Sequence, residues 1–178
     1  MRSGVLEAVI NRYKFDGFQQ WALLFGRILA GFLEEEARYF RQFDLIVASP
    51  TYVGPDGRSF DHTRLVLERA ADEVSPGVPW PFDLGDRPAI VKTGPTESFT
   101  GKAYRERRAI AETQLRDALH IPDTNRTAGR SILVYDDVFT DGWTLNEVAR
   151  ALRLTGGAKE VCGVTLTRQP WKTRASGP

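Results

Sequence analysis

An acidic pair followed by a glycine-containing, hydroxyl-rich loop has the clearest chemical potential in this sequence. Asp136 and Asp137 come directly after the apolar run 132–135, and Gly142 follows between two threonines at 140 and 144. Backbone N–H groups around a glycine at the start of a helix can hold a phosphate. Adjacent carboxylates can accept hydrogen bonds from a vicinal diol or hold Mg²⁺ through water. Together these groups predict a site for a ribose 5-phosphate.

The elements around the pair indicate a strand–loop–helix–strand unit. Residues 132–135 form a short apolar strand, and apolar residues at 145, 148, 149 and 152 give the next segment one helical face. Gly156 and Gly157 end that helix, and 161–166 is the next strand. Such a crossover places its loop at the carboxyl edge of a parallel sheet, where α/β proteins bind ligands. The alternative is an ordinary βαβ unit whose strand happens to end in two acids.

The segment from Ile132 to Thr144 resembles the phosphoribosyl pyrophosphate (PRPP) signature of type I phosphoribosyltransferases. It has four apolar residues, two acids, two further apolar residues and a small hydroxyl-rich loop with Gly before Thr144. Two positions depart from that pattern, Asp141 and the bulky Trp143. A negative charge at 141 disfavours phosphate unless it points outward or is neutralised.

Two further segments resemble the ComF-like, competence-associated branch of these enzymes. Residues 13–17 match its entry of lysine, aromatic residue and glycine, and residues 57–62 match its arginine-containing segment in part. Ser59, Asp61 and His62 stand where that branch has Gly, Asn and Gln. Many of its members carry a zinc-binding cysteine segment ahead of this domain, and this sequence shows none. The resemblance implies a link to DNA uptake or DNA processing.

The resemblance implies roles for residues in four parts of the chain. It implies Asp136, Asp137 and Arg58 as catalytic residues, and the same two aspartates as Mg²⁺ ligands, either directly or through water. As PRPP-binding residues it implies Asp136, Asp137, Val138, Phe139, Thr140, Asp141, Gly142, Trp143, Thr144, Ser49, Lys14, Arg105 and Arg108. A surface position for Lys14, and a solvated charged face for the arginines at 105–108, are the alternatives.

Composition limits the class of protein. The 178 residues are 42% hydrophobic and 26% charged with a net charge of +1, so no global field indicates nucleic acid or membrane. A single cysteine excludes an intramolecular disulfide. No stretch resembles a signal peptide or reaches membrane-spanning length. We expect a cytoplasmic α/β domain over 1–178, with a core at about 13–168, a tail at 169–178 and a mostly parallel sheet of about five strands flanked by helices.

Two functions from different classes follow. The first is a Mg²⁺-dependent transferase that moves the phosphoribosyl group of PRPP to an unidentified acceptor, such as a nucleobase or an amine, and releases pyrophosphate. The second is a non-catalytic module that binds PRPP or a nucleotide and acts with partners in DNA uptake or processing. Direct binding of single-stranded DNA by the arginines at 105–108 is a third idea. Expected partners are PRPP or a related ribose phosphate, a second copy of the chain and a DNA-processing protein.

Overall fold

A computed structural model describes residues 4–77 and 79–169 of the chain. The longer helices are α1 (Gly4–Phe15), α2 (Trp21–Glu35), α4 (His62–Glu73), α5 (Tyr104–Ile110) and α7 (Trp143–Leu154). Shorter ones are α3 (Ala37–Phe40), α6 (Arg116–Ala118) and a 3₁₀ turn at Thr124–Arg126. The strands are β1 (Leu45–Ala48), β2 (Val91–Lys92), β3 (Leu119–His120), β4 (Ser131–Phe139) and β5 (Glu160–Arg168). The expected tail falls almost entirely on 170–178, outside the described residues.

The main sheet is parallel, with strand order β1-β4-β5. Leu45 lies beside Ile132, and Ser131 lies beside Glu160, so the three strands begin at a common edge. The predicted parallel sheet between helices is confirmed, but the five described strands are divided between two sheets. The run 88–92 forms only the two-residue strand β2, because it pairs antiparallel with β3 rather than joining the main sheet.

Helices cover both faces of the main sheet. On one face, side chains of β4 such as Leu133 and Tyr135 pack into a core with α1, α2 and α4. On the other, Ile132 and Val134 pack with α7. Buried residues on both faces explain why β4 reads as a continuous apolar run.

Strand β4 continues past the acidic pair, which the sequence placed at its end. Val138 and Phe139 still pair with Thr167 and Arg168 of β5, so Asp136 and Asp137 lie within the strand. The helical segment 104–118 is not a continuous α-helix, since Ala111–Leu115 takes π-helical geometry between α5 and α6. A wider turn of this kind often marks a functional region.

Local sequence signals account for two of the helix ends. The Asp61 side chain accepts a hydrogen bond from the Arg64 amide at 3.0 Å, as the N-cap of α4. Gly157 follows α7 with a φ of +67°, the left-handed conformation that ends many helices. Within the described residues, no helix combines the length and apolar character needed to cross a bilayer.

Candidate functional site

A cleft of about 1230 Å³ opens where β4 extends beyond β1. The last residue pair between these strands is Ala48 with Tyr135, so the acidic pair lies just past it. The cleft is bounded by α1 and the start of α4 on one side and by the segment 95–101 with Arg107 of α5 on the other. We call these the inner wall and the outer wall. Loop 138–144 forms the floor between them.

Asp137 is the centre of the inner wall. Its Oδ1 lies 2.7 Å from Nζ of Lys14, and its Oδ2 lies 3.3 Å from Nε2 of His62. Only 2% of Asp137 is exposed. Burial by itself would raise the pKa of Asp137, but His62 and Lys14 outweigh it and hold that pKa well below its usual value. Asp137 is therefore an ionised, buried carboxylate with two cationic or hydrogen-bonding neighbours.

Asp136 has the opposite environment. Adjacent residues of a strand point to opposite faces, so Asp136 leaves β4 on the side away from Lys14 and His62. Its Oδ1 accepts a hydrogen bond from the Asp137 amide at 3.0 Å. Burial, and then the charge of Asp137, raise the pKa of Asp136 to about 7. The two acids therefore divide into a charged member and one that is half protonated near neutral pH.

His62 connects Asp137 to a hydroxyl of the cleft lining. Oγ1 of Thr51 lies 3.2 Å from Nδ1 of His62, whose other ring nitrogen faces Asp137. The Tyr13 hydroxyl donates to the His62 carbonyl at 2.5 Å and fixes the start of α4. The sequence showed no general base, because Thr51, His62 and Asp137 meet only in the folded chain. A neutral His62 ring can accept a proton from the Thr51 hydroxyl at Nδ1, and Asp137, whose Oδ2 has no well-aligned hydrogen bond, lies beside the positive charge that would form.

Two half-buried cations line the cleft near this centre. Arg58 donates from Nη1 to the Lys14 carbonyl at 3.0 Å, and its guanidinium carbon lies 4.2 Å from the centre of the Phe15 ring. Lys92 donates to the hydroxyl of Thr96 at 2.7 Å. Burial, and then the charge of Arg58, lower the pKa of Lys92, so the two cations are close enough to repel. Neither has a carboxylate partner within the described part of the chain, and an anionic ligand would supply one.

Loop 138–144 forms a cradle of backbone amides at the start of α7. Gly142 is the N-cap of that helix, with a φ of +80° that L-residues rarely adopt. A Cβ on Gly142 would lie 3.0 Å from the Phe139 ring. Among the described residues, the N–H groups of 141–144 donate to no protein acceptor. The cradle therefore has free donors together with the positive end of the helix dipole.

The negative charge at Asp141 is neutralised inside the protein. Its Oδ2 lies 2.7 Å from Nε of Arg107, although the angle between the groups is poor for a hydrogen bond. Trp143 packs on Tyr104, with ring centres 5.6 Å apart, and lies beneath the guanidinium of Arg108. Both residues that depart from the expected loop pattern therefore attach the floor to α5.

The structure brings most of the sequence-predicted site residues together. Lining the cleft are Lys14, Ser49, Arg58, Asp136, Asp137, Val138, Phe139, Thr140, Asp141, Gly142, Trp143 and Thr144. Arg105 and Arg108 differ, because both are exposed outside the lining and Arg108 pairs with Glu112 at 2.9 Å. Of this arginine group, Arg107 reaches the cleft.

Among the lining residues that were not predicted as site residues are His62, Arg107, Lys92 and Thr51. Arg107 lies in the predicted basic segment 105–108. The rotation of helix α5 decides which arginine of that segment faces the cleft. Lys92 ends the short strand β2, and a lysine after an apolar run could have indicated a strand-end cation. Thr51 carried no signal, because its relation to His62 depends on tertiary packing.

The acidic pair does not form a resident Mg²⁺ site by itself. Within the described residues, no group of three His, Cys, Asp or Glu side chains could hold a metal ion. The two carboxylates leave β4 on opposite faces, and Lys14 already contacts Asp137. The residues therefore do not fit a Mg²⁺ ion chelated by both carboxylates.

Comparison with known proteins gives one sequence relative. The chain is 27% identical over 166 residues to "Competence protein ComFC" of Streptococcus pneumoniae (strain ATCC BAA-255 / R6). The chain is a distant homologue of ComFC. The alignment covers 89% of this chain and 61% of ComFC, so the chain spans about three fifths of that relative. The resemblance to competence proteins that residues 13–17 and 57–62 predicted is confirmed as a distant homology. No protein-family model matches the chain.

Solved structures give partial likenesses. An allosteric regulatory enzyme of purine biosynthesis matches with a TM-score of 0.47 and 18% identity, over 83% of this chain and 26% of that enzyme. A hypoxanthine-guanine-xanthine phosphoribosyltransferase matches with a TM-score of 0.39 and 12% identity, over 90% of this chain and 70% of the enzyme.

Proposed function

We propose that the cleft binds PRPP or a closely related ribose phosphate and that the chain transfers its phosphoribosyl group to an acceptor, releasing pyrophosphate. One observation carries the proposal. Among the described residues, a cradle of unpaired amides, an acidic pair and two cations that contact no carboxylate surround one cleft at the carboxyl end of β4. PRPP carries the three complementary groups, a phosphate, a ribose diol and a diphosphate, in a single molecule.

Each part of the ligand has a partner in this arrangement. The 5-phosphate lies in the cradle at 141–144, and the ribose hydroxyls face the acidic pair. The diphosphate lies between Arg58 and Lys92, with Mg²⁺ carried in on its oxygens. A cationic ribosyl transition state gains from a nearby ionised carboxylate, and Asp137 stays ionised because Lys14 and His62 hold its pKa low.

His62 can receive the proton that the acceptor loses during the transfer. The acceptor forms a bond to the anomeric carbon as the bond to the diphosphate oxygen breaks. The acceptor's proton passes to the Thr51 hydroxyl, whose own proton moves to Nδ1 of His62. Thr51→Val should then lower kcat much more than it changes KM, whereas Thr51→Ser should keep most of the rate.

Calorimetric titration of PRPP with Mg²⁺ tests the proposed binding. Wild-type protein should bind PRPP, and Asp137→Asn should weaken binding by at least about thirtyfold, since it removes the charged acceptor of the pair. Asp72→Asn, which removes an exposed carboxylate of α4, is the matched control and should bind normally. Equal affinity in all three proteins would contradict the assignment of the ribose to Asp137.

A non-catalytic role is the second candidate, and one observation favours it. Lys14 and His62 offset the charge of Asp137, and Asp136 is half protonated near neutral pH, which reduces the charge available to a cationic transition state. Under this reading the chain binds PRPP or a nucleotide and acts with partners in DNA uptake or processing, as the name of its relative suggests. Pyrophosphate release on adding nucleobases or amines to the PRPP complex favours transfer; tight binding without release favours the module.

A further inference from the structure

The outer strand of the main sheet leaves one edge open. β5 pairs with β4 on one side, and among residues 4–77 and 79–169 no strand pairs with its other side. The strand is nine residues long, EVCGVTLTR, and contains neither proline nor lysine. Proteins that stay monomeric usually protect such an edge with prolines, lysines, bulges or short length, because its free backbone groups accept another strand.

Charge placement on β5 is self-complementary. Glu160 and Arg168 are both exposed, and each stands four residues from Val164. They lie about 26 Å apart along one strand, so they cannot pair within one copy. An antiparallel second copy, centred on Val164, brings Glu160 opposite the partner's Arg168 twice by symmetry. A two-fold axis makes the same patch contact itself, as closed dimers require.

We propose that β5 is a dimerisation strand, which pairs antiparallel with β5 of a second copy and joins the two sheets into one of six strands. The register follows from the charges, with Cys162 opposite the partner's Leu166. The proposal is independent of the ligand bound in the cleft.

An exposed apolar surface beside β5 supports a second copy as the occupant. Cys162 lies on the face of β5 that packs toward α2 and α3, and its Sγ is 4.0 Å from the Tyr39 hydroxyl. Tyr39 is 51% exposed, and Phe32 and Ile28 of α2 are 43% and 49% exposed. A two-fold axis perpendicular to the sheet places this face of both copies on the same side. Dimer formation would therefore bring two apolar surfaces toward each other beside the paired strands.

Sedimentation equilibrium with charge variants tests the register. The wild type should be a dimer, and Glu160→Arg should raise the dimer dissociation constant about tenfold or more, since like charges then face each other twice. Arg168→Glu should do the same, and the variant with both changes should return to within about threefold of wild type. A wild type that stays monomeric to about 100 μM, or a dimer insensitive to all three variants, overturns the proposal.

A cross-link tests the same register without relying on charge. Leu166→Cys places a thiol opposite the native Cys162 of the partner, at a separation suited to a disulfide between neighbouring strands. Mild oxidation should give a covalent dimer from Leu166→Cys and none from Leu166→Cys combined with Cys162→Ser. Equal cross-linking of both proteins, or of neither, contradicts the register. Circular dichroism of each variant confirms that the chain remains folded.

Discussion

The inner and outer walls of the cleft are held by different kinds of contact. The inner wall is anchored on a buried carboxylate: Lys14 and His62 both lie beside Asp137, and the Tyr13 hydroxyl donates to the His62 carbonyl. The outer wall is attached through one ion pair with a poor hydrogen-bond angle, Arg107 with Asp141, and through Trp143 on the exposed Tyr104 ring. Asp137 has two nitrogen neighbours and a 3% exposed side chain, whereas Asp141 has one such neighbour and a 10% exposed side chain. The inner wall is therefore the more firmly held of the two, because an uncompensated charge costs more the more completely it is buried.

Removing one cation from each wall should give the largest contrast. Lys14→Met leaves Asp137 with only His62 as a neighbour and should lower the free energy of unfolding by about 3 kcal/mol. Arg107→Met should lower it less, by about 1 to 2 kcal/mol, because the Asp141 side chain is 10% exposed against 3% for Asp137. Urea unfolding at neutral pH measures both. An equal decrease in the free energy of unfolding for both variants would show that the two walls are held equally firmly.

As pH rises, the contributions of the two acids to the free energy of unfolding should change in opposite directions. The raised pKa of Asp136 means that the folded state binds its proton more tightly than the unfolded state. Asp136 therefore reduces stability progressively as pH rises from about 4 to about 7. Asp136→Asn should increase the free energy of unfolding at pH 8 by roughly 2 kcal/mol and have little effect below pH 4. The lowered pKa of Asp137 has the reverse sign, so its stabilisation is present above its ordinary pKa and is lost in acid.

Urea unfolding of Asp136→Asn and wild type across pH 4 to 8 checks this difference. A stability gain that is the same at every pH would show that Asp136 does not titrate in this range.

The fold and the floor of the cleft could be predicted from sequence, whereas the walls could not. The apolar run 132–135, the helical spacing after 144 and Gly157 are local signals, and they gave the strand–loop–helix unit. The length of β4 was missed because pairing of Val138 and Phe139 with β5 is a long-range property. Lys92 and Thr51 were missed for the same reason, since nothing near them in sequence indicates Arg58 or His62. Asp141 was predicted to disfavour phosphate unless its charge is neutralised, and the sequence could not show that Arg107, far along the chain, neutralises it.

Adding a methyl group to the floor should disrupt the cradle specifically. Gly142→Ala forces a Cβ to within 3.0 Å of the Phe139 ring and should weaken PRPP binding by about tenfold or more. Gly129→Ala is the matched control, with a φ of +71° and open space around its Cβ. Both variants should lose about 1 kcal/mol of stability from backbone strain. Calorimetry should show weakened PRPP binding for Gly142→Ala alone, and equal weakening in both would trace the effect to strain.

Removing the cation that neutralises Asp141 should have the smallest effect on PRPP binding. Arg107→Met leaves a carboxylate beside the cradle and should weaken PRPP binding about three- to tenfold. Arg107→Met combined with Asp141→Asn should restore the wild-type affinity, because neither charge is then present. Failure of the second change to restore binding would show that Arg107 contacts the ligand directly.

Separate titrations with the two halves of the proposed ligand test the central claim most directly. Ribose 5-phosphate and Mg²⁺-pyrophosphate are each titrated into wild type, Gly142→Ala and Arg58→Met. Gly142→Ala should lose affinity for ribose 5-phosphate and keep pyrophosphate binding, whereas Arg58→Met should do the reverse, because the cradle and the cations hold opposite ends of PRPP. If neither half binds the wild type, or both variants affect both halves equally, the cleft is not the PRPP site proposed for this chain.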